Sequence, residues 1–191
     1  MHYLKDIATI RSGYLFREKI ESAADGAIRV IQVGDITPEA RLTTGALTRI
    51  HLPEIKSNQF LEPGDCLFIS RGPRKQAVAL TEAMGQTIAT SQFFIIHPDE
   101  SVLPEFLAWY INQRPAQRYI EAHSRGSAVS LINLDAMKML PVEAPPVEMQ
   151  RRIVQIHELS LRERELLEAI RIKRRALVDL TLLKAVSGTT Q

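Results

Sequence analysis

Three cations fall within five residues at Arg71-Gly72-Pro73-Arg74-Lys75, between the apolar runs 66–71 and 76–80. A loop of this kind on rigid flanks is suited to a polyanion. Arg74 and Lys75 are placed to neutralise phosphates, and Ser70 and Arg71, at the strand end, to reach a phosphate or a guanine edge. Gly72 permits close backbone approach and Pro73 restricts the loop. The ordinary alternative is a solvated hairpin tip, with Arg71 paired to Asp65 or Glu82. Two more stretches offer donors of the same kind. Arg11, Ser12, Tyr14 and Arg17 follow the first apolar run, and Ser124-Arg125-Gly126-Ser127 forms a polar loop. Their alternatives are a turn whose Tyr14 and Phe16 pack inward, and a plain helix-exit loop. Gln32 and Gln92 lie in apolar surroundings. A glutamine there is either an adenine reader or a polar group satisfied within the fold.

Catalytic chemistry finds little support. The chain has no G-x-x-x-x-G-K-[ST] loop, no G-x-G-x-x-G turn and no Asn-Pro-Pro-aromatic tetrapeptide. Asp35, Glu54 and Lys56 can be forced into a metal-nuclease pattern, but such triplets are common by chance. Cys66 is the single cysteine and sits in an apolar run, which reads as a small buried hydrophobe. The five histidines show no ligand spacing. The expectation is a binding protein with no catalytic residue, metal or cofactor of its own.

The elements that must position these groups follow from composition and pattern. The 191 residues are 45% hydrophobic and 24% charged, as in a soluble globular protein. No run approaches the roughly 18–20 apolar residues of a membrane helix, and the first residues lack a signal layout, so a cytoplasmic address is expected. Net charge is only +2, with 15 Lys+Arg against 16 Asp+Glu in residues 1–147 and 9 against 6 in 148–191. Bulk charge therefore does not announce nucleic acid, and the case rests on local clustering.

Segments 6–11, 27–33, 46–52, 66–71, 76–80 and 90–97 read as strands, punctuated by Gly, Pro and Asp. Their closeness in sequence favours a mixed or antiparallel, curled sheet. Pro104 opens a helix that continues past Pro115 with a kink to residue 122, its aromatic stripe facing the core. Residues 131–146 read as a turn, a short helical piece and a last strand, closed by Pro145-Pro146. From Glu148 through Val186 there is no Pro or Gly, which predicts one helix of about 57 Å. Met149, Ile153, Ile156, Leu159, Leu166, Leu167, Ile170, Leu177, Leu180 and Leu183 form a stripe interrupted by Ser160, Glu163, Lys173 and Arg174. A stripe that long predicts a helical partner; the alternative is a helix folded back on its own domain. The fold class is α+β, with a globular part over 1–146, a long helix over 147–186 and a frayed tail over 187–191.

In this order LKDIATIRSGYLFR (4–17), VIQVGDI (30–36), LEPGDCLFISRG (61–72), ATSQFFIIHPD (89–99), LPEFLAWYINQ (103–113) and RGSAVSLINLDAMKMLPVEAPPVEMQRRIVQIHE (125–158) resemble the specificity subunits of type I restriction–modification systems, with 1–146 as a target-recognition domain. The resemblance implies a non-catalytic subunit that binds double-stranded DNA and scaffolds methyltransferase subunits and the translocating restriction subunit. PPVEMQRRI (145–153) is then a candidate part of the scaffold. S-adenosylmethionine, Mg²⁺ and ATP would belong to those partners. Such subunits usually carry two recognition domains separated by long helices that pair antiparallel as a ruler, and this chain shows one domain and one helix. The expectation is a half-subunit that homodimerises through its helix and reads a bipartite palindrome. The competing expectation is a coiled-coil interaction protein that modulates or competes in assembly of the restriction complex without reading DNA.

Overall fold

The computed structural model describes residues 1–52, 54–126 and 130–187. The chain divides into two compact units, Met1–Arg151 and Arg152–Gln191. The first unit begins with β1 (His2–Tyr3), the single helical turn α1 (Leu4–Ile7) and β2 (Ala8–Ser12). Next come β3 (Ile28–Ile31), β4 (Thr48–Ile50), β5 (Cys66–Ile69), β6 (Ala77–Ala79), β7 (Thr87–Ala89) and β8 (Phe93–Pro98). Helices α2 (Pro104–Ile111) and α3 (Arg114–His123) follow, then β9 (Ser124–Arg125), β10 (Leu131–Ile132), α4 (Leu134–Lys138) and β11 (Pro141–Val142). The long helix α5 runs over Val147–Ser187.

The strands divide between two main sheets rather than curling into one. Four are antiparallel in the order β2-β8-β5-β6; three form a mixed sheet, β4-β3-β7, with β3 and β7 parallel. Leu67, Ile69, Val78, Phe93 and Ile95 of the first sheet share one buried cluster with Ile31 and Ala89 of the second. The alternate residues Cys66, Phe68 and Phe94 point to the opposite face, where α2 packs on β5, β6 and β8. The Phe68 and Phe94 rings stack there at 6.4 Å, and the Cys66 thiol donates to the Pro104 carbonyl at 3.1 Å. Because both faces are covered, β5 and β8 read as unbroken apolar runs with no alternation. Burial pushes the Cys66 thiol well above its usual range, with Asp65 and Glu105 adding to the shift. The outer face of the mixed sheet, Ile28, Val30, Ile50 and Ile88, is covered by Tyr14, Phe16, Ile20, Leu52, Ile55 and Phe60.

Several elements depart from the sequence expectation. The segment 6–11 begins as α1 before extending, and 46–52 pairs only over Thr48–Ile50. Strand β7 is unforeseen, because its three short residues gain their order from a parallel partner far earlier in the chain. The helix from Pro104 does not bend through Pro115 but ends. In a continuous helix that proline would lack its N–H and crowd the Ile111 carbonyl, so the chain breaks at Asn112-Gln113 and Pro115 takes the first turn of α3. The break has a use. The Asn112 amide accepts from the Ala77 N–H at 2.9 Å and donates to the Ala77 carbonyl at 2.8 Å, standing in for a neighbouring strand on the edge of β6.

The first turn of α5 is rooted by Gln150, which is fully buried. Its Oε1 accepts from Leu103 N at 2.8 Å, and its Nε2 donates to the Ser101 and Pro145 carbonyls at 2.9 and 2.7 Å. Every donor and one acceptor of the side chain is used, as a buried amide requires. Within the second unit the helix leaves its stripe open: Ile156 is 68% exposed, Leu166 49% and Leu177 65%.

Candidate nucleic-acid interface

Sheet topology gathers the polar stretches of the sequence. In the order β2-β8-β5-β6, antiparallel throughout, the end of β2, the start of β8, the end of β5 and the start of β6 share one margin. That margin carries Ser12, Gln92, Ser70, Arg71 and Lys75. The mixed sheet ends there as well, since Thr90 N donates to the Ile31 carbonyl at 3.1 Å and Tyr14 N to the Ala89 carbonyl at 2.7 Å. Gly13 makes this junction possible. A Cβ on it would lie against the Thr90 carbonyl and 2.6 Å from the Ala89 oxygen, both backbone atoms that cannot swing away.

The loop after β5 uses its cations differently from their order in the sequence. Lys75 is not the free surface charge its position suggested. It is buried, and its ammonium donates to the Ser70 and Ser130 carbonyls at 2.6 and 2.7 Å. Burial lowers its pKa to about 8, and the Arg71 charge adds to the shift. Arg74 is half-buried and also turns inward. Its guanidinium donates to the Ile36 carbonyl at 2.9 Å and the Val33 carbonyl at 3.4 Å, tying the hairpin tip to the turn after β3. Gly72 supplies a φ of +110°, and its missing Cβ faces open space. Arg71 is the exposed one. Neither expected partner holds it: Asp65 accepts from His97 at 2.9 Å and pairs with Arg11 at 3.7 Å.

Arg71 has a companion. Its backbone bridges Leu131, with Gly72 N donating to Ser130 O and Ile132 N to Ser70 O at 3.0 and 3.2 Å; Leu131 in turn pairs with Arg125. Arg71, Leu131 and Arg125 thus form one row across three strands, and directly opposed residues share a face. Ser70 and Ile132 on the other face are buried, while both arginines are exposed. Their Cα atoms lie about 10 Å apart from ladder geometry alone. The two carbonyls that Lys75 holds are the two that accept the ladder bonds around the Arg71–Leu131 bridge, so this lysine clamps the row.

The remaining sequence candidates separate by burial. Ser12, Arg17 and Gln92 are exposed on the margin and its following loop. Arg11 is half-buried, donating to the Phe60 carbonyl at 2.9 Å; its pKa is lowered by burial, against the pull of Asp65 and Glu62. Ser70 is buried and donates to the Gln92 carbonyl at 2.8 Å. Gln32 is occupied with Thr48 at 3.0 Å. Ser127 lies outside the described residues. Asp35 caps the Gln32 N–H at 2.7 Å, whereas Glu54 and Lys56 line a cleft of about 920 Å³ beneath Tyr14 and Phe16. The triplet is not a joined site. Among the described residues no cluster of three His, Cys, Asp or Glu is placed to hold a metal, and no helix is long and apolar enough to cross a membrane. The roles of Lys75 and Asn112 were missed because Ser130 and Ala77, whose backbone groups they serve, lie far away in sequence.

A family model described as the type I restriction modification DNA specificity domain matches residues 2–172. Among solved structures, the HsdS subunit from Thermoanaerobacter tengcongensis superposes with a TM-score of 0.64 at 18% identity, over 86% of this chain and 43% of that one. The S subunit of the type I system from M. genitalium gives 0.55 at 15% identity, over 91% and 42%. A chain from a structure concerned with complex assembly and conformational transition of the type I R-M system gives 0.62 at 17%, over 91% and 41%. The chain spans about two fifths of the length of these solved chains. No curated protein matches it.

Proposed function

We propose, for a chain that belongs to the type I restriction–modification DNA specificity family, that the loop margin of the Met1–Arg151 unit reads one half of a bipartite DNA target. The family's domain is one of specificity, not catalysis. The observation that carries the reading is the convergence of the exposed Arg71, Arg125, Gln92 and Ser12 on one margin of the sheets, with Arg17 in the loop that follows. Guanidinium groups there supply phosphate contacts or bidentate reading of guanine, and Gln92 suits adenine. Arg74, Lys75, Arg11 and Ser70 serve by holding the loops in place.

The exposed stripe of α5 supports the second half of the proposal. Ile156, Leu159, Leu166, Ile170, Leu177 and Leu180 pair with a second copy, so that two domains read a palindromic target. The assembly scaffolds methyltransferase subunits and, through them, the restriction subunit, in the cytoplasm. S-adenosylmethionine, Mg²⁺ and ATP are assigned to those partners. The test is co-expression with a methyltransferase subunit, followed by mapping of methylated positions on genomic DNA. A methylated bipartite palindrome is the expected result. A complex that assembles yet binds no DNA tighter than random sequence leaves only the interaction role of the helix.

A further inference from the structure

Within the α5 stripe, the positions at alternating three- and four-residue steps from Ile156 to Leu180 are mirror-symmetric. Ile156, Leu159, Leu166, Ile170, Leu177 and Leu180 follow three- and four-residue steps, and the two stations they skip are Glu163 and Lys173. Measured from residue 168, Leu166 and Ile170 are two residues away on either side, Glu163 and Lys173 five, Leu159 and Leu177 nine, and Ile156 and Leu180 twelve. An antiparallel helix pair with its two-fold axis at the level of residue 168 therefore sets each of these six apolar side chains against another. It also sets Glu163 of each copy against Lys173 of the other. We infer that the α5 stripe is a docking surface for a second copy of this chain in this antiparallel register, latched by two Glu163–Lys173 pairs. The inference rests on the homodimer part of the proposed function and on the antiparallel pairing that the family resemblance implies, and adds the register and the charge latch to them.

Two physical arguments select this arrangement. An apolar repeat alone leaves register open, because sliding by seven residues realigns leucine with leucine. Here a slide of one heptad in either direction sets Glu163 against Leu180 or Leu166 and Lys173 against Ile170 or Ile156, leaving four charges per dimer facing hydrocarbon with no counter-ion. Orientation follows from the distribution of charge. Residues 152–167 carry three cations and three acids, whereas 169–184 carry five cations and one acid. A parallel pair stacks the two basic halves and places Glu163 on Glu163 and Lys173 on Lys173. The antiparallel pair sets each basic half against a neutral one. Arg171 is neutralised within its own helix by Glu168 at 2.6 Å, so it does not compete for Glu163.

The test uses the full chain and the monomer–dimer equilibrium by sedimentation. E163K and K173E each replace two ion pairs with two like-charge contacts, and each is expected to weaken the dimer roughly 10- to 100-fold. The double variant E163K/K173E is expected to return to within a few-fold of the parent. Mixing the two single variants is expected to restore a heterodimer, because both opposite-charge contacts reform between them. Cysteine trapping reads geometry independently: L159C and L177C should form a disulfide when mixed and none when alone, since Cys66 is buried. Single variants as tight as the parent, or L159C linking to itself, overturn the register while leaving the homodimer intact. A parent chain that stays monomeric overturns both.

Discussion

In the Met1–Arg151 unit the two main sheets find their cover within the chain. The four-stranded sheet has α2 on one side and the mixed sheet on the other, and the mixed sheet's outer face lies beneath Tyr14, Phe16 and Phe60. Even the edge of β6 is closed by one asparagine. In the second unit the same kinds of side chain are left in the open, Leu159 at 71% and Leu183 at 66%. Apolar surface is stabilising only when removed from water. The first unit covers its apolar surface from within, and the stripe of the second is open to a partner.

The largest expected effect tests that contrast on the helix. The pair L166E/I170E places four carboxylates at the centre of the antiparallel dimer. Each lost apolar contact is worth about 1.5–3 kcal/mol, so association should weaken at least ~1,000-fold by sedimentation. Thermal unfolding of the Met1–Arg151 unit should not move. The converse substitution is Gly13→Ala, which forces a methyl into the junction of the two sheets. It should cost the globular unit about 3 kcal/mol in urea unfolding and leave dimer mass unchanged. If either variant damages both properties, the two regions are not independent.

Smaller effects sharpen a second contrast, between outward and inward cations of the same loop. With DNA bound specifically, Arg71→Ala or Arg125→Ala should each reduce the slope of log affinity against log salt by about 0.9 where the lost contact is to phosphate. Where it is to a base, tolerance at one target position should rise instead. Arg74→Ala should leave slope and specificity as they are and lower stability, because its donors serve carbonyls. The smallest effect belongs to Lys75. Its folded pKa near 8 lies below the 10.5 of an unperturbed lysine, so between those values the unfolded chain binds a proton that the folded chain does not. Stability should therefore rise from pH 8 towards pH 10 and be flat in this contribution below pH 8. In Lys75→Met the rise should disappear, as measured by urea midpoints at pH 7.5 and 9.5.

The elements that the sequence made legible are those decided by local rules. The run from Glu148 to Val186 has neither proline nor glycine and can only be a helix, and Cys66 sits in a run too apolar to be anything but core. Strand β7 escaped because a parallel partner far earlier in the chain decided it, and the expected kink at Pro115 became a full break three residues earlier at Asn112, whose amide is taken up by the distant Ala77. The loop site was half legible. Clustering of Arg71, Arg74 and Lys75 marked a loop on the sheet margin, but not which of its cations face outward: Arg74 and Lys75, expected at phosphates, donate to backbone carbonyls instead. Charge in a sequence carries no direction, whereas a lysine five residues from Ser70 can curl back onto its carbonyl.

What the residues determined alone, then, is the α+β class, the long helix and a stripe whose acid and base stand at equal distances from one centre, all properties of period and spacing. Tertiary structure alone decided which cations face out. That choice depends on carbonyls supplied by Val33, Ile36 and Ser130, which the fold brings to the loop from both directions along the chain. Each carbonyl oxygen has two lone pairs, and the inward cations add a second donor to carbonyls such as those of Val33 and Ser130 that already accept a backbone bond. Arg71, whose backbone is occupied by Leu131, is the one left to face outward.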